Sequence, residues 1–194
     1  MLYAKTLLLN HRYQECSQLL SRINILPFEG ATIGRELYKE ALLMQAIAQM
    51  GNKKYAKAIS FISEAQKWPE NLGVGKPYEE DIDERLENWM NYLCFHKMNK
   101  EEDAQKALQK IIQFKPKIEN TVSNFLPAND LVTAWALDKL NRKDEAATWL
   151  NKQIAKYPAN EILIWCENTF QNKQDENHDS DNPEVRILEA LIKL

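Results

Sequence analysis

Glycine and proline are scarce here, five and seven in 194 residues. A chain so poor in backbone punctuation has few tight hairpin turns, and it contains neither Asn-Gly nor Asp-Gly. Alternating runs rich in Val and Thr are also missing, which removes the signature of a half-buried strand. Cysteine is limited to Cys16, Cys94 and Cys166. Three widely spaced thiols make a poor disulfide framework, and each falls within an apolar helical pattern, where cysteine serves as a small hydrophobe. No apolar run approaches the roughly 20 residues of a membrane-spanning helix. Met1–Leu9 has no basic start or cleavage site, so it does not read as a signal peptide.

What the chain has is helix-forming sequence. Ala, Leu, Ile, Lys, Glu and Gln dominate, with 44% hydrophobic and 27% charged residues, ordinary for a globular protein. Net charge is −3, from 25 basic and 28 acidic side chains with the signs interspersed. No basic field of the kind a phosphate backbone requires is present, so nucleic acid is not an expected partner. The expected fold class is all-α.

The clearest stretch runs over residues 129–158. Leu131, Ala134, Trp135, Leu137 and Leu140 mark a first helix, Asn141–Lys143 a turn, and Ala146, Ala147, Trp149, Leu150 and Ile154 a second helix closed by Pro158. Asp144 is the expected cap of that second helix. The same arrangement recurs along the chain. Small residues early in the second helix fall at Cys16, Ala58, Ala104 and Ala146, in steps of 42, 46 and 42. Stop prolines fall at Pro27, Pro69, Pro116 and Pro158, in steps of 42, 47 and 42. Two marker series in near register predict hairpins over residues 2–27, 35–69, 84–116 and 128–158. A fifth first helix is expected over 161–170, then a polar stretch over 171–182, expected to be mobile. Asp181–Glu184 should start a last helix carrying Val185, Ile187, Leu188 and Leu191. No single hairpin can bury its apolar stripe alone. Each Leu, Ile or Trp packed on a neighbour contributes roughly 1.5–3 kcal/mol, so stacking into one domain over 1–194 is expected.

Ala146, Leu150 and Pro158, together with Ala134 in the first helix, resemble the tetratricopeptide repeat, and Tyr13-Gln14-Glu15-Cys16 has the shape of that family's second-helix start. The resemblance implies a right-handed α-solenoid of four to five hairpins with long linkers, whose final region (160–194) supplies a capping helix. It also implies a non-catalytic scaffold that binds a protein or peptide. The pattern departs at Asp130, where the family has tryptophan, so the pocket that tryptophan occupies must be filled another way. The stretch from Trp68 to Pro77 further resembles the C-terminal repeat region of large bacterial proteins of unknown function with an upstream mutarotase-like β-sandwich. That likeness implies a fragment of a longer protein whose partner could be its own upstream region. As an alternative it implies an accessory carbohydrate-binding segment. The uncapped start at Met1 fits a fragment, and compartment and oligomeric state are not readable from the sequence.

Family ligands lie against the first helices. Carried over, those positions are Trp89, Leu93, His96 and Lys97 in the third hairpin, and Leu131, Trp135, Asp138 and Lys139 in the fourth. The Lys/Asn set of the carboxylate-clamp form is missing, so an apolar groove is implied. Other candidates are weaker. Asn71–Pro77 fails as a phosphate loop, because Glu70 and Pro77 stand where the pattern needs Gly and Ser or Thr; it reads better as a structured connector. The acidic run Glu79, Glu80, Asp81, Asp83 and Glu84 lacks the central glycine of a calcium loop, and Asp81 or Asp83 suffices as a cap. His96 and Cys94, two apart on a helix, diverge too far to share a metal. His11 and His178 have no Cys or His neighbour at helical spacing. No cofactor, metal or catalytic residue is expected.

Overall fold

The computed structural model describes residues 1–27, 32–115, 126–173 and 181–194. Among them there are ten α-helices, two single 3-10 turns and no strand. The all-α class is therefore established. None of these helices is long and apolar enough to cross a membrane.

Chain packing divides the molecule into two compact units, Met1–Pro77 with Ile187–Leu194, and Tyr78–Arg186. In the first unit, α1 (Leu2–Leu9) and α2 (Tyr13–Leu20) form one hairpin, and α3 (Ile33–Gly51) and α4 (Tyr55–Ala65) a second. Both α1 and α2 pack on α3. In the second unit, α5 (Arg85–Lys97) pairs with α6 (Glu101–Gln113), and α7 (Asn129–Lys139) with α8 (Lys143–Lys156). Here α5 and α6 pack on α7, while α7 and α8 pack on α9 (Glu161–Phe170). The last helix, α10 (Pro183–Ile192), begins in the second unit and ends in the first.

The hairpins share one turn. His11, Lys53, Asn99, Asn141 and Asn172 are the only non-glycine residues with positive φ among those described, all between 55° and 60°. Each follows a first helix, and the amide after it donates to the carbonyl five residues back: Arg12 to Leu7, Lys54 to Gln49, Lys100 to Phe95, Arg142 to Leu137 and Lys173 to Asn168, at 2.8–2.9 Å. This is the Schellman closure, which satisfies carbonyls left open at a helix end. It needs a left-handed residue, which asparagine tolerates better than most. Five residues after each of the first four turns stand Cys16, Ala58, Ala104 and Ala146, all fully buried. A small side chain there lets the two helices approach closely, as the Cys16 thiol does in donating to the Ala4 carbonyl at 3.3 Å.

Some expected boundaries move. Helix α2 stops at Leu20, well before Pro27. The cause is the Trp68–Pro77 connector. Its Asn71 amide donates to the carbonyls of Leu20 and Ile23, both at 2.8 Å, and the Asn71 carbonyl accepts from the Ile25 amide. Gly73 follows at φ 70°, where an added Cβ would lie 2.7 Å from the Ile25 carbonyl oxygen. Asp144 sits inside the first turn of α8, and the cap position belongs to Arg142, with no side-chain bond. The cap foreseen for α10 forms, the Asn182 carboxamide oxygen accepting from the Val185 amide at 2.9 Å. Pro116, His178 and most of the polar stretch 171–182 lie outside the described residues.

Candidate functional site

The chemistry of the second unit is concentrated where its two hairpins meet. Asp83, just ahead of α5, accepts from the backbone amide of Arg85 and takes a bidentate pair from its guanidinium, with Arg85 Nη2 at 2.8 Å. Arg85 Nη1 then crosses to α7, reaching Asp130 at 2.8 Å and the Thr133 hydroxyl at 3.0 Å. From α8 the Trp149 indole donates to Asp130 at 3.2 Å, and the Arg85 guanidinium lies over the Phe114 ring at 5.3 Å. All three charged groups are buried. Asp130, where the resemblance implied a tryptophan, is thus met by an arginine of the preceding hairpin and an indole from the same hairpin's second helix.

Two carboxylates share one guanidinium, and burial acts on all three groups. Burial alone would raise the Asp83 carboxyl, but the charge and hydrogen bonds of Arg85 outweigh it and hold it below its ordinary value. For Asp130 burial prevails over Arg85, with the charge of Asp83 adding to the rise. Burial would lower Arg85, yet its two acidic partners raise it. These groups hold one another, and a buried pair of this kind is intolerant of losing one member.

The first helices of the same unit carry a row of rings. Trp135 of α7 stacks on Trp89 of α5, with centroids 5.5 Å apart. Trp89 lies 5.0 Å from Tyr92, and Tyr92 stacks on His96 at 5.8 Å. The middle of the row is enclosed and its ends are more open: Trp89 and Tyr92 are buried, Trp135 is half-buried and His96 is exposed. The His96 Nδ1 is 3.1 Å from a Glu101 carboxylate oxygen. Of the eight positions carried over from the repeat family, Trp89, His96 and Trp135 meet in this row. Leu93 is half-buried, Lys97 and Lys139 are exposed, and half-buried Asp138 lies 3.8 Å from the Lys143 ammonium. Leu131 differs. It is 0% exposed and offers no surface to a ligand, because α7 is packed by α5, α6, α8 and α9 together.

Cys94 and His96 are separated as their spacing requires, the thiol enclosed and the imidazole open. Burial pushes the Cys16 thiol up to about 11 and Cys94 to about 12, and raises Cys166 as well. Such thiols stay protonated near neutrality and are poor nucleophiles. A cleft of about 400 Å³ opens between α6, α7 and α8, with Ile112, Thr133, Leu137 and Trp149 among its walls. Sequence reasoning missed Arg85 altogether. The usable signal was Asp130, a carboxylate where the repeat pattern asks for a large ring.

Compared with known proteins, the chain matches no family model, no curated protein and no solved structure.

Proposed function

We propose that this chain is a non-catalytic helical-repeat scaffold of the tetratricopeptide kind, an α-solenoid that binds a polypeptide on its first helices. The observation that carries the binding site is the ring row Trp135–Trp89–Tyr92–His96, which spans the first helices of two successive hairpins. Aromatic groups with one buried and one open end are the usual anchors of protein interfaces. The exposed side chains His96, Lys97 and Lys139 on the same two helices suit a partner with acidic or carbonyl-rich segments. Support for the array comes from the five equivalent turns and from first helices that receive both helices of the hairpin before them within each unit. In this reading α10, whose Val185, Ile187, Leu188 and Leu191 are buried, is the capping helix.

A photoreactive residue at His96 should cross-link a polypeptide partner from the cells that make the protein, and the same group at Gln109 on α6 should not. His96→Ala with Lys97→Glu should abolish capture while leaving the melting temperature unchanged. Equal capture from both sites would end the proposal. Sugar binding by the isolated chain, competed by neither substitution, would favour the carbohydrate-accessory reading.

A further inference from the structure

The first unit leaves apolar side chains uncovered. Among the described residues ten large hydrophobic side chains are exposed, and eight of them belong to this unit: Met1, Leu2, Tyr3, Leu9, Leu26, Ile33, Ile192 and Leu194. Three lie on α1, an eight-residue helix whose outward side carries Leu2, Tyr3, Thr6 and Leu9. A single exposed leucine needs no explanation, but a cluster of this kind marks an interaction surface.

The repeated turn identifies what the face is for. Counting back nine residues from each left-handed residue gives Leu2, Met44, Met90, Val132 and Leu163. Met90, Val132 and Leu163 are 0% exposed and Met44 is half-buried, whereas Leu2 is 81% exposed. One residue on, Tyr3 corresponds to Gln45, whose amide nitrogen donates to the Ser17 hydroxyl at 3.0 Å on the second helix of the hairpin before. In the second unit the same position is Thr133, which shares a cleft wall with Ile112 of the preceding α6. At Gln45 and Thr133 the position thus looks toward the preceding second helix, whereas its counterpart on α9, Ile164, is 39% exposed. On α1 the same two side chains look at solvent.

We propose that the outer face of α1 is the seat of one more helical hairpin, packed on α1 as α1 and α2 pack on α3. The occupant is a helix pair whose second helix presents a small, uncharged ridge like Cys16, Ser17 and Leu20, the buried residues of α2. Continuity with the existing α2–α3 contact favours this over a long extended peptide. The only charged group on α1 is Lys5, so the seat selects by shape and apolar match, and not by charge.

The test adds a copy of residues 1–32 ahead of the intact chain, which places a second α2 in register with α1. Amide exchange at Ala4–Leu9 should slow at least tenfold relative to the parent chain. Leu2→Glu with Leu9→Glu in the chain's own α1 should abolish that protection, and in the parent chain should leave the melting temperature unchanged. Unaltered exchange after the duplication, with the added segment helical by circular dichroism, would overturn the proposal. So would a parent chain that is dimeric by light scattering and becomes monomeric with Leu2→Glu, because a second copy would then be the occupant.

Discussion

The two units join their hairpins with opposite chemistry. In the first, the hydrogen bonds joining α2 to α3 and to the following connector run between neutral groups, with Glu40 of α3 buried close enough to Cys16 of α2 to add to the rise that burial gives its thiol. Gln45 bonds to Ser17, Asn71 takes two carbonyls, and Gly73 lets the connector run against Ile25. In the second, the junction of α5 with α7 is sealed by Arg85 between Asp83 and Asp130. The turns and the small-residue contact are shared, so the repeat fixes the hairpin closure and leaves helix length and seam free to vary. Neutral seams lose stability piecemeal. A charged seam fails at once when one member goes, and responds to pH.

The sharpest break of that comparison is Arg85→Met, which strands two buried carboxylates. It should lower stability by about 3–5 kcal/mol, read as a shift of the urea midpoint. Replacing Arg85, Asp83 and Asp130 together by apolar residues should recover most of it, since the pair is poor at stabilising relative to well-packed hydrophobes. The neutral seam has its own weak point in Gly73→Ala. With φ at 70° and a backbone oxygen 2.7 Å from the new Cβ, the loss should be about 1–3 kcal/mol, with faster amide exchange confined to Ile23–Ile25 and the connector.

A gentler probe is pH. A carboxyl raised above its unfolded value binds its proton more tightly when folded. The contribution of Asp130 is therefore full in acid and lost as pH climbs from its ordinary 3.8 through the raised folded value. Asp83 runs the other way, contributing above 3.8 and losing that contribution as pH falls through its lowered folded value. Asp130→Asn should remove the first slope and keep the second, measured as urea midpoint against pH. Gln45→Ala in the neutral seam should leave the profile's shape alone. A smaller effect is expected of Lys53→Gly, which relieves a left-handed lysine and should stabilise by about 0.5–1 kcal/mol. The same change at Asn141 should do less, because asparagine already tolerates that conformation.

Much of the fold was legible in the sequence. Cys16, Ala58, Ala104 and Ala146 are all enclosed, and α9 spans the residues its apolar spacing indicated, because helical periodicity and small-residue contacts are local. The early end of α2 was hidden, since it depends on Asn71, about fifty residues away in the chain. Arg85 was hidden for a different reason. Charged side chains at a helix start ordinarily mean solvent and dipole, and nothing local distinguishes an arginine that turns inward. The ring row was half legible: Trp89, His96 and Trp135 were placed by analogy with the repeat family. Tyr92 completes the row but was missed, and Leu131, carried over as a groove position, is fully enclosed.

The uniform turn also bears on how such a chain can change over time. Cutting from Lys100 through Asn141 would fuse one Asn turn to the next without disturbing the backbone closure, so whole hairpins are in principle removable parts. The salt-linked seam sets a limit on that freedom. Arg85 and Asp130 ride on successive hairpins, and deleting or shuffling either one alone would orphan the other's charge. In the second unit, inheritance must move hairpins in pairs.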